Sequence, residues 1–440
     1  MPTATQANHL VPAFQRFTPH PITDRAWWDM VATDPRWAAW RHDILARAAS
    51  APRQPVVLTA SMWLRVRRHN DRSPGDQHVQ ESRSWLGALI IRRCLAGPGD
   101  DDQLLDWLWA QATEPSWLHM SHWNLHEGNL APDLPRLGQP DLDLMGCEHA
   151  AFLAEAVEVL APWLISQSPA LADDIRFEID RKILTPFAEG AVAWWMDGHI
   201  NNWAGVCGGA LVAACRSLAA QGHPRPAAEA RALIALQRYL DKAFTPTGEC
   251  DEGIGYWFYG MVMAQLGLTR LDEHEIPRFQ RLVSVGDFPR RCHLGADVFL
   301  SWNDSNHHAS ASTAFVPWLA RQTGNQWLWD WARRSPSWGG RHIGGLLREA
   351  EALAWLQPDP MLVLTSDGSD WLEDQQVATF RNRRLVAAIT GGRNDENHNH
   401  NDLGHVVLLV DGKFVLPDFG APKPYQGEEK GAQESRYAAS

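Results

Sequence analysis

What the sequence lacks narrows it first. Its six cysteines, Cys94, Cys147, Cys207, Cys215, Cys250 and Cys292, form no Cys-x-x-Cys pair. That excludes a zinc knuckle or dithiol redox motif and leaves buried free thiols as the expected state. Positive charge is in deficit: 40 Lys and Arg face 52 Asp and Glu, a formal net charge of -12. The balance argues against a nucleic-acid partner, although a locally basic cleft on an acidic protein can still take an acidic ligand. No uninterrupted apolar run of spanning length is read, so no membrane span is expected. The N-terminal residues through Phe17 lack a basic segment followed by an apolar one. No secretory signal is read there, and cytoplasmic residence is the expectation, or periplasmic residence if a signal has been removed. Tyrosine is scarce, five against 23 tryptophans. Indole faces stack on sugar rings and equally fill helix–helix cores, so the excess points to both.

What is present is a long helical pattern followed by a short β-rich one. The 440 residues suffice for two or three domains. Apolar residues recur at three- and four-residue spacing over 26–48, 82–97, 102–113, 148–166, 172–196, 206–220, 226–243, 254–267, 312–334 and 341–357. Gly97-Pro98-Gly99, Gly222-His223-Pro224 and Pro246-Thr247-Gly248 punctuate the joints. Antiparallel helices with short links predict stacked hairpins, either an open solenoid or a closed α/α toroid. After Pro358-Asp359-Pro360 the pattern becomes β. Strands are predicted at Met361–Leu364, Val377–Phe380, Leu385–Ile389, Val406–Val410 and Phe414–Leu416, with Asp411-Gly412 as a two-residue hairpin turn. The boundary is placed at 357/358, giving domains 1–357 and 358–440. A simple register about that turn sets Asp418 opposite His405. So short a β-region leaves open sheet edges and an unfinished core, so a sequence truncated within its second domain is expected.

Three clusters carry candidate chemistry. In Asn397-His398-Asn399-His400-Asn401-Asp402 an extended chain puts His398 and His400 on one face. With Asp418 arriving from a neighbouring strand, they could hold a divalent metal, supply a proton carrier and a charge neutraliser, or form only a polar loop. His199-Ile200-Asn201-Asn202-Trp203 precedes Gly208-Gly209 and an apolar helix. Its asparagines are either helix caps or amide donors for a ligand carboxylate. Asp251-Glu252-Gly253-Ile254-Gly255-Tyr256-Trp257 reads as a cleft rim or a capping turn. Tyr256 there becomes a general acid/base if nearby positive charge lowers its pKa. Asp304 lies on another polar loop, its role open.

These segments, in this order, resemble the heparinase II/III-like polysaccharide lyases over most of the chain. The matching pieces are the Asn-Asn-Trp segment, Asp-Glu-Gly-x-Gly-Tyr-Trp, the His-x-His-x-Asp-x-Gly segment at 398–404 and Asp-Phe-Gly at 418–420. The resemblance implies an α+β multidomain fold: an incomplete N-terminal (α/α) toroid, then the start of an antiparallel β-sandwich, with the active site in the cleft between them. It implies β-elimination on uronate-containing polysaccharides or oligosaccharides, the acidic partner that the chain would take. By match, Tyr256, His398 and Asn201 are catalytic, with Asn202, Asn397 and Glu252 as substrate-binding candidates. Tyr425 is the candidate second acid. His400 and Asp418 match two ligands of a structural zinc whose third ligand, a His, would fall just beyond Ser440. Some relatives carry His in place of Asn201 or Asn202. A toroid glycoside hydrolase, which needs paired carboxylates, a His-x-His metal oxygenase and a non-catalytic glycan binder are the competing readings.

Overall fold

The computed structural model describes residues 16–69, 71–122, 134–191, 193–295, 297–340, 342–364, 368–394, 398, 400 and 403–418. Between Arg25 and Trp355 the chain is an array of helices wound into a toroid. The Asn202–Ala220 helix sits between Leu144–Gln167 and Gly253–Leu268, and Pro226–Lys242 packs on it from outside. The last helix, Ile343–Trp355, returns to pack against Ser73–Ala96 and Leu144–Gln167. That return chooses the toroid over an open solenoid, a choice periodicity left open.

Local sequence explains the close packing. A Cβ on Gly209 would sit 2.4 Å from the Met263 carbonyl oxygen, so the Gly208-Gly209 pair lets two inner helices meet backbone to backbone. Asp101, Asp143 and Asn201 cap the helices that follow by accepting from the backbone N–H of Leu104, Gly146 and Trp203. Leu144–Gln167 and Asn202–Ala220 are long and apolar enough to cross a membrane by composition, which the sequence reading did not flag. Both are mostly buried inside the ring, as core helices are. Tryptophan serves this core: Trp28, Trp37, Trp40, Trp107, Trp195, Trp257 and Trp331 are fully buried. All six cysteines are buried free thiols.

Several predicted helices are broken. The 26–48 segment divides into Arg25–Thr33 and Ala38–Ser50, because Asp34-Pro35 starts a separate turn capped by the Asp34 carboxylate. The 172–196 segment ends as a helix at Ala188, after a π-turn at Asp180–Leu184. The 312–334 segment splits into Val316–Thr323 and Gln326–Arg334, with Gly324 left-handed at φ 65° and Asn325 capping the second piece. Helices Ala60–His69 and Leu282–Cys292 were missed.

The β-region is one five-stranded antiparallel meander: Gly368–Leu372, Val377–Arg381, Leu385–Thr390, Val406–Val410 and Lys413–Leu416. Met361–Leu364 is not a strand; the first strand begins at Gly368 instead. Asp411 and Gly412 both take positive φ, 49° and 75°, as a two-residue hairpin turn demands. A bulge follows, pairing Leu408 with Leu416. It moves the register one residue from the simple expectation. Val377, Thr379, Ala388, Val407 and Leu409 are buried on one face, while Trp371, Phe380, Leu385, Ile389, Val406 and Leu416 are exposed.

The sheet is tied to the toroid by charge-assisted hydrogen bonds. The buried Glu249 carboxylate accepts from the backbone N–H of Glu373, Asp374 and Gln375 at 2.9–3.1 Å and from Arg291 at 3.0 Å. Arg381, on the second strand, donates from Nε to the His293 carbonyl at 2.7 Å and pairs with Asp370. Such bonds are about twice as strong as neutral ones.

Candidate active site at the toroid–sheet junction

The site is built where two toroid loops meet the segment before the fourth strand. Gly253 opens the Gly253–Leu268 helix at φ 83°, and a Cβ there would lie 2.7 Å from Ser305 Oγ and 2.8 Å from the Trp302 oxygen. Only glycine meets both demands. Ser305 Oγ accepts from the Gly255 N–H at 3.0 Å, and Asn303 Nδ2 donates to the Asp251 oxygen at 2.7 Å. The loop 302–305 is therefore fastened to the turn that presents Tyr256. Asn303 and His398 are both left-handed, at φ 61° and 56°, a region that Asn and His enter more readily than most residues. The Asp304 N–H donates to the His398 carbonyl at 3.2 Å.

His398 is the centre of the cluster. Its ring stacks on Tyr256, with centroids 3.7 Å apart and planes at 17°. Nδ1 lies 3.0 Å from Asp304 Oδ2, and Nε2 lies 3.6 Å from Glu252 Oε2. His400 Nε2 lies 3.1 Å from the other Asp304 oxygen. Burial opposes ionisation of Asp304, but the hydrogen bonds from His398 and His400 outweigh it and hold its carboxyl well below the usual range. Glu252 goes the other way. Burial raises it, against the opposing hydrogen bonds of Asn202 and the nearby His398.

Tyr256, His398 and Glu252 are thus brought together. Asn201 neighbours them through Asn202, and its side-chain oxygen caps the helix by accepting from Trp203 N–H. Asn202 and Glu252 do not suit the substrate contact expected of them. They are 2% and 1% exposed, and the Asn202 backbone and side-chain N–H groups donate to the two Glu252 oxygens at 2.9 and 2.5 Å. They form the floor beneath His398. Asn397 and Tyr425 lie outside the described residues.

Of the two expected zinc ligands, His400 Nε2 lies 3.1 Å from Asp304, and the Asp418 carboxylate faces His405 Nε2 at 3.6 Å while its carbonyl accepts from His307. Among the described residues, His400 and Asp418 fall in no cluster of three metal donors. The simple hairpin register had already set Asp418 near His405. Asp304 is the residue that sequence reasoning left open, and it organises both histidines. The signal was a carboxylate in a run of hydrogen-bonding residues, Asn303 to His308, but nothing in the sequence showed which histidines that loop would meet.

The fold and site define an α/α toroid followed by an antiparallel sheet, with a Tyr–His stack held between one buried and one half-buried carboxylate at their junction. No protein-family model matches the sequence, and no curated protein matches it. Among solved structures, the fold is similar to heparinase III, with a TM-score of 0.51 at 11% identity over 95% of this chain and 69% of that one. A chondroitin AC lyase of Streptomyces coelicolor A3 gives 0.49 at 15% identity, over 88% and 57%. The heparan sulfate lyase of Pedobacter heparinus gives 0.43 at 14% identity, over 93% and 63%. The chain thus spans less than two thirds of the last two. At these identities the likeness is one of fold.

Proposed function

We propose that the chain is a polysaccharide lyase that cleaves uronate-containing glycans by β-elimination and leaves C4–C5 unsaturated uronates. The observation that carries this reading is the Tyr256–His398 stack, with His398 held between Asp304 and Glu252. The fold likeness to heparinase III supports it.

The chemistry follows from the groups present. The C5 proton of a uronate is hard to remove while the adjacent carboxylate keeps its full charge. His398, oriented by Asp304 at Nδ1, and the Asn201 amide donate to that carboxylate and stabilise the enolate-like intermediate. Tyr256 takes the C5 proton as its phenolate. The electron pair then forms the C4–C5 double bond, and the C4–O4 bond breaks. The leaving O4 receives a proton from Tyr256 on a substrate whose proton and leaving group lie on one side. Glu252 and Asn202 keep the histidine in place without touching sugar.

Incubation with a panel of uronate glycans and oligosaccharides tests this reading. The conjugated product absorbs in the ultraviolet, and that absorbance is expected to rise. New reducing ends without it indicate hydrolysis instead, and silence across the panel removes the lyase reading.

A further inference from the structure

A small cavity lies where the ring closes, apart from the Tyr256–His398 site. Its walls come from the last helix, Ile343–Trp355, from Val316–Thr323, from the end of Gly253–Leu268 and from Phe17. About 30 Å³ of it can hold the centre of a water-sized group. One water needs about 10–15 Å³ of such space, so a molecule of two or three such groups fits and a sugar ring does not.

Unspent hydrogen-bonding atoms gather around it. Gln265 Oε1, Thr313 Oγ1, Trp318 Nε1 and Trp355 Nε1 are buried, belong to residues lining the cavity and have no partner among the described residues. Gln265 and Thr313 are 1% exposed and Trp318 is 8% exposed, so each unmet bond carries a desolvation cost. The Gln265 orientation is fixed. Its Nε2 donates at 2.5 Å to the Ala314 carbonyl, which can only accept, and the oxygen is the atom left over. The neighbouring Arg348 guanidinium is already spent on Glu155, Thr269 and the Leu266 and Gly344 carbonyls. Arg321 lies over the Trp355 ring at 4.8 Å.

These groups define the chemistry that fills the space. The indole N–H groups only donate, the Gln265 oxygen only accepts and the Thr313 hydroxyl does both. An anion would meet the Gln265 oxygen and the Glu351 carboxyl, and a cation would meet two indole N–H groups, Arg321 and Arg348. A neutral molecule with two adjacent hydroxyls balances the set. Its two oxygens accept from Trp318 and Trp355, and its two O–H groups donate to Gln265 and Thr313. Its carbons lie against Phe17, Ala314 and Ala352. We propose that this cavity binds a small neutral polyol through a vicinal diol, and that the bound molecule bridges the closing helix to Val316–Thr323 and to the helix that carries Tyr256. The proposal stands on the cavity and does not use the lyase reading.

Ethylene glycol is the probe, followed by NMR through the tryptophan indole N–H resonances of the whole chain. Trp318→Phe and Trp355→Phe assign the two signals. Both are expected to shift saturably with glycol, while the exposed Trp109 shifts in proportion to concentration. Thr313→Val removes one hydroxyl at nearly constant shape, and Ala352→Leu fills the space. The first is expected to raise the half-saturating concentration about threefold to tenfold, the scale of one lost hydrogen bond, and the second to raise it further. Thermal melting checks that these variants fold, and either one that does suffices. Sodium formate and methylammonium, the charged probes, are expected to give no saturable shift. Proportional or absent shifts at Trp318 and Trp355 mean that water alone occupies the cavity, and they overturn the proposal. Saturation unchanged in a folded variant, or saturation by a charged probe at the same concentration, overturns it as well.

Discussion

Tyr256 and His398 stack with centroids 3.7 Å apart, one from the first turn of a toroid helix and the other from the segment before a strand of the sheet. Neither half of the molecule holds the pair alone. The stack also explains how a half-buried tyrosine can be aimed: the imidazole plane fixes the phenol plane, and Asp304 fixes the imidazole.

Tyr256→Phe keeps the stacking surface and removes the hydroxyl. A proton-transfer group of this kind is worth ~10²–10⁴-fold. Turnover, read as ultraviolet absorbance of the unsaturated product, is expected to fall by about that factor, with glycan binding retained. Full activity in this variant would remove Tyr256 from the mechanism.

Asp304→Asn tests the positioning of His398. The variant keeps the shape but removes the charge that holds both histidines. A loss of about 10–100-fold in kcat, the scale of outer-shell partners of ligating histidines, is expected with KM little changed. Asp304 also sets an acid limit. Its carboxyl is depressed in the folded protein, so its contribution to stability is present above the ordinary carboxylate pKa of about 3.9. That contribution is lost as pH falls from there through the folded value. The parent is therefore expected to lose stability more steeply than Asp304→Asn over that acid range, as read by urea midpoints. Equal slopes would show that the histidine bonds contribute nothing.

Most of the helical half was legible because burial follows a 3.6-residue period, as over Asp102–Thr113, whose bounds were read to the residue. Misreadings fell where one residue overrides the pattern: Pro35, Gly324 and the π-turn at Asp180. The ring closure was not legible, since it depends on Ile343–Trp355 meeting Ser73–Ala96, a contact between distant segments. At the site, residue types were readable and partners were not. Glu252 and Asn202 looked like cleft residues because they are polar, yet both are buried in the floor, where the Asn202 N–H groups donate to the Glu252 carboxylate.

Gly253→Ala probes how tightly the tyrosine turn is packed. The added methyl meets Ser305 Oγ and the Trp302 oxygen, at a left-handed φ. Strain and displacement together should cost about 2–4 kcal/mol. The loop carrying Asp304 should shift, so activity is expected to fall along with the melting temperature. An unchanged melting temperature would contradict this close approach.

Glu351 gives a pH effect of opposite sign. Burial pushes its carboxyl up to about 7, against the nearby Arg348 and Arg321. A group raised on folding contributes stability below its unfolded pKa, about 4.3, and loses it as pH rises through about 7. Glu351→Gln should flatten that decline, leaving the variant more stable than the parent at pH 8 by about 2 kcal/mol. Parallel stability curves across the range would count against the burial effect.

Glu249 decides whether the two halves act as one. It is fully buried and gathers three consecutive backbone N–H groups of the turn between the first two strands, plus Arg291. Glu249→Ala leaves those donors without their acceptor at the junction, at about 1–3 kcal/mol for each one that stays buried. The sheet then keeps Arg381, the Arg290–Asp370 pair, the Gln375 bond to the Cys250 carbonyl and its apolar face, none of which replaces the lost anion. Unfolding of the variant is expected to split into two transitions, the sheet melting before the helices, with near-ultraviolet dichroism and helical content no longer coincident. Activity should follow the first transition, because His398 belongs to the sheet side while Tyr256 stays with the helices. A single cooperative transition, with activity and helicity lost together, would show that the junction survives without this carboxylate.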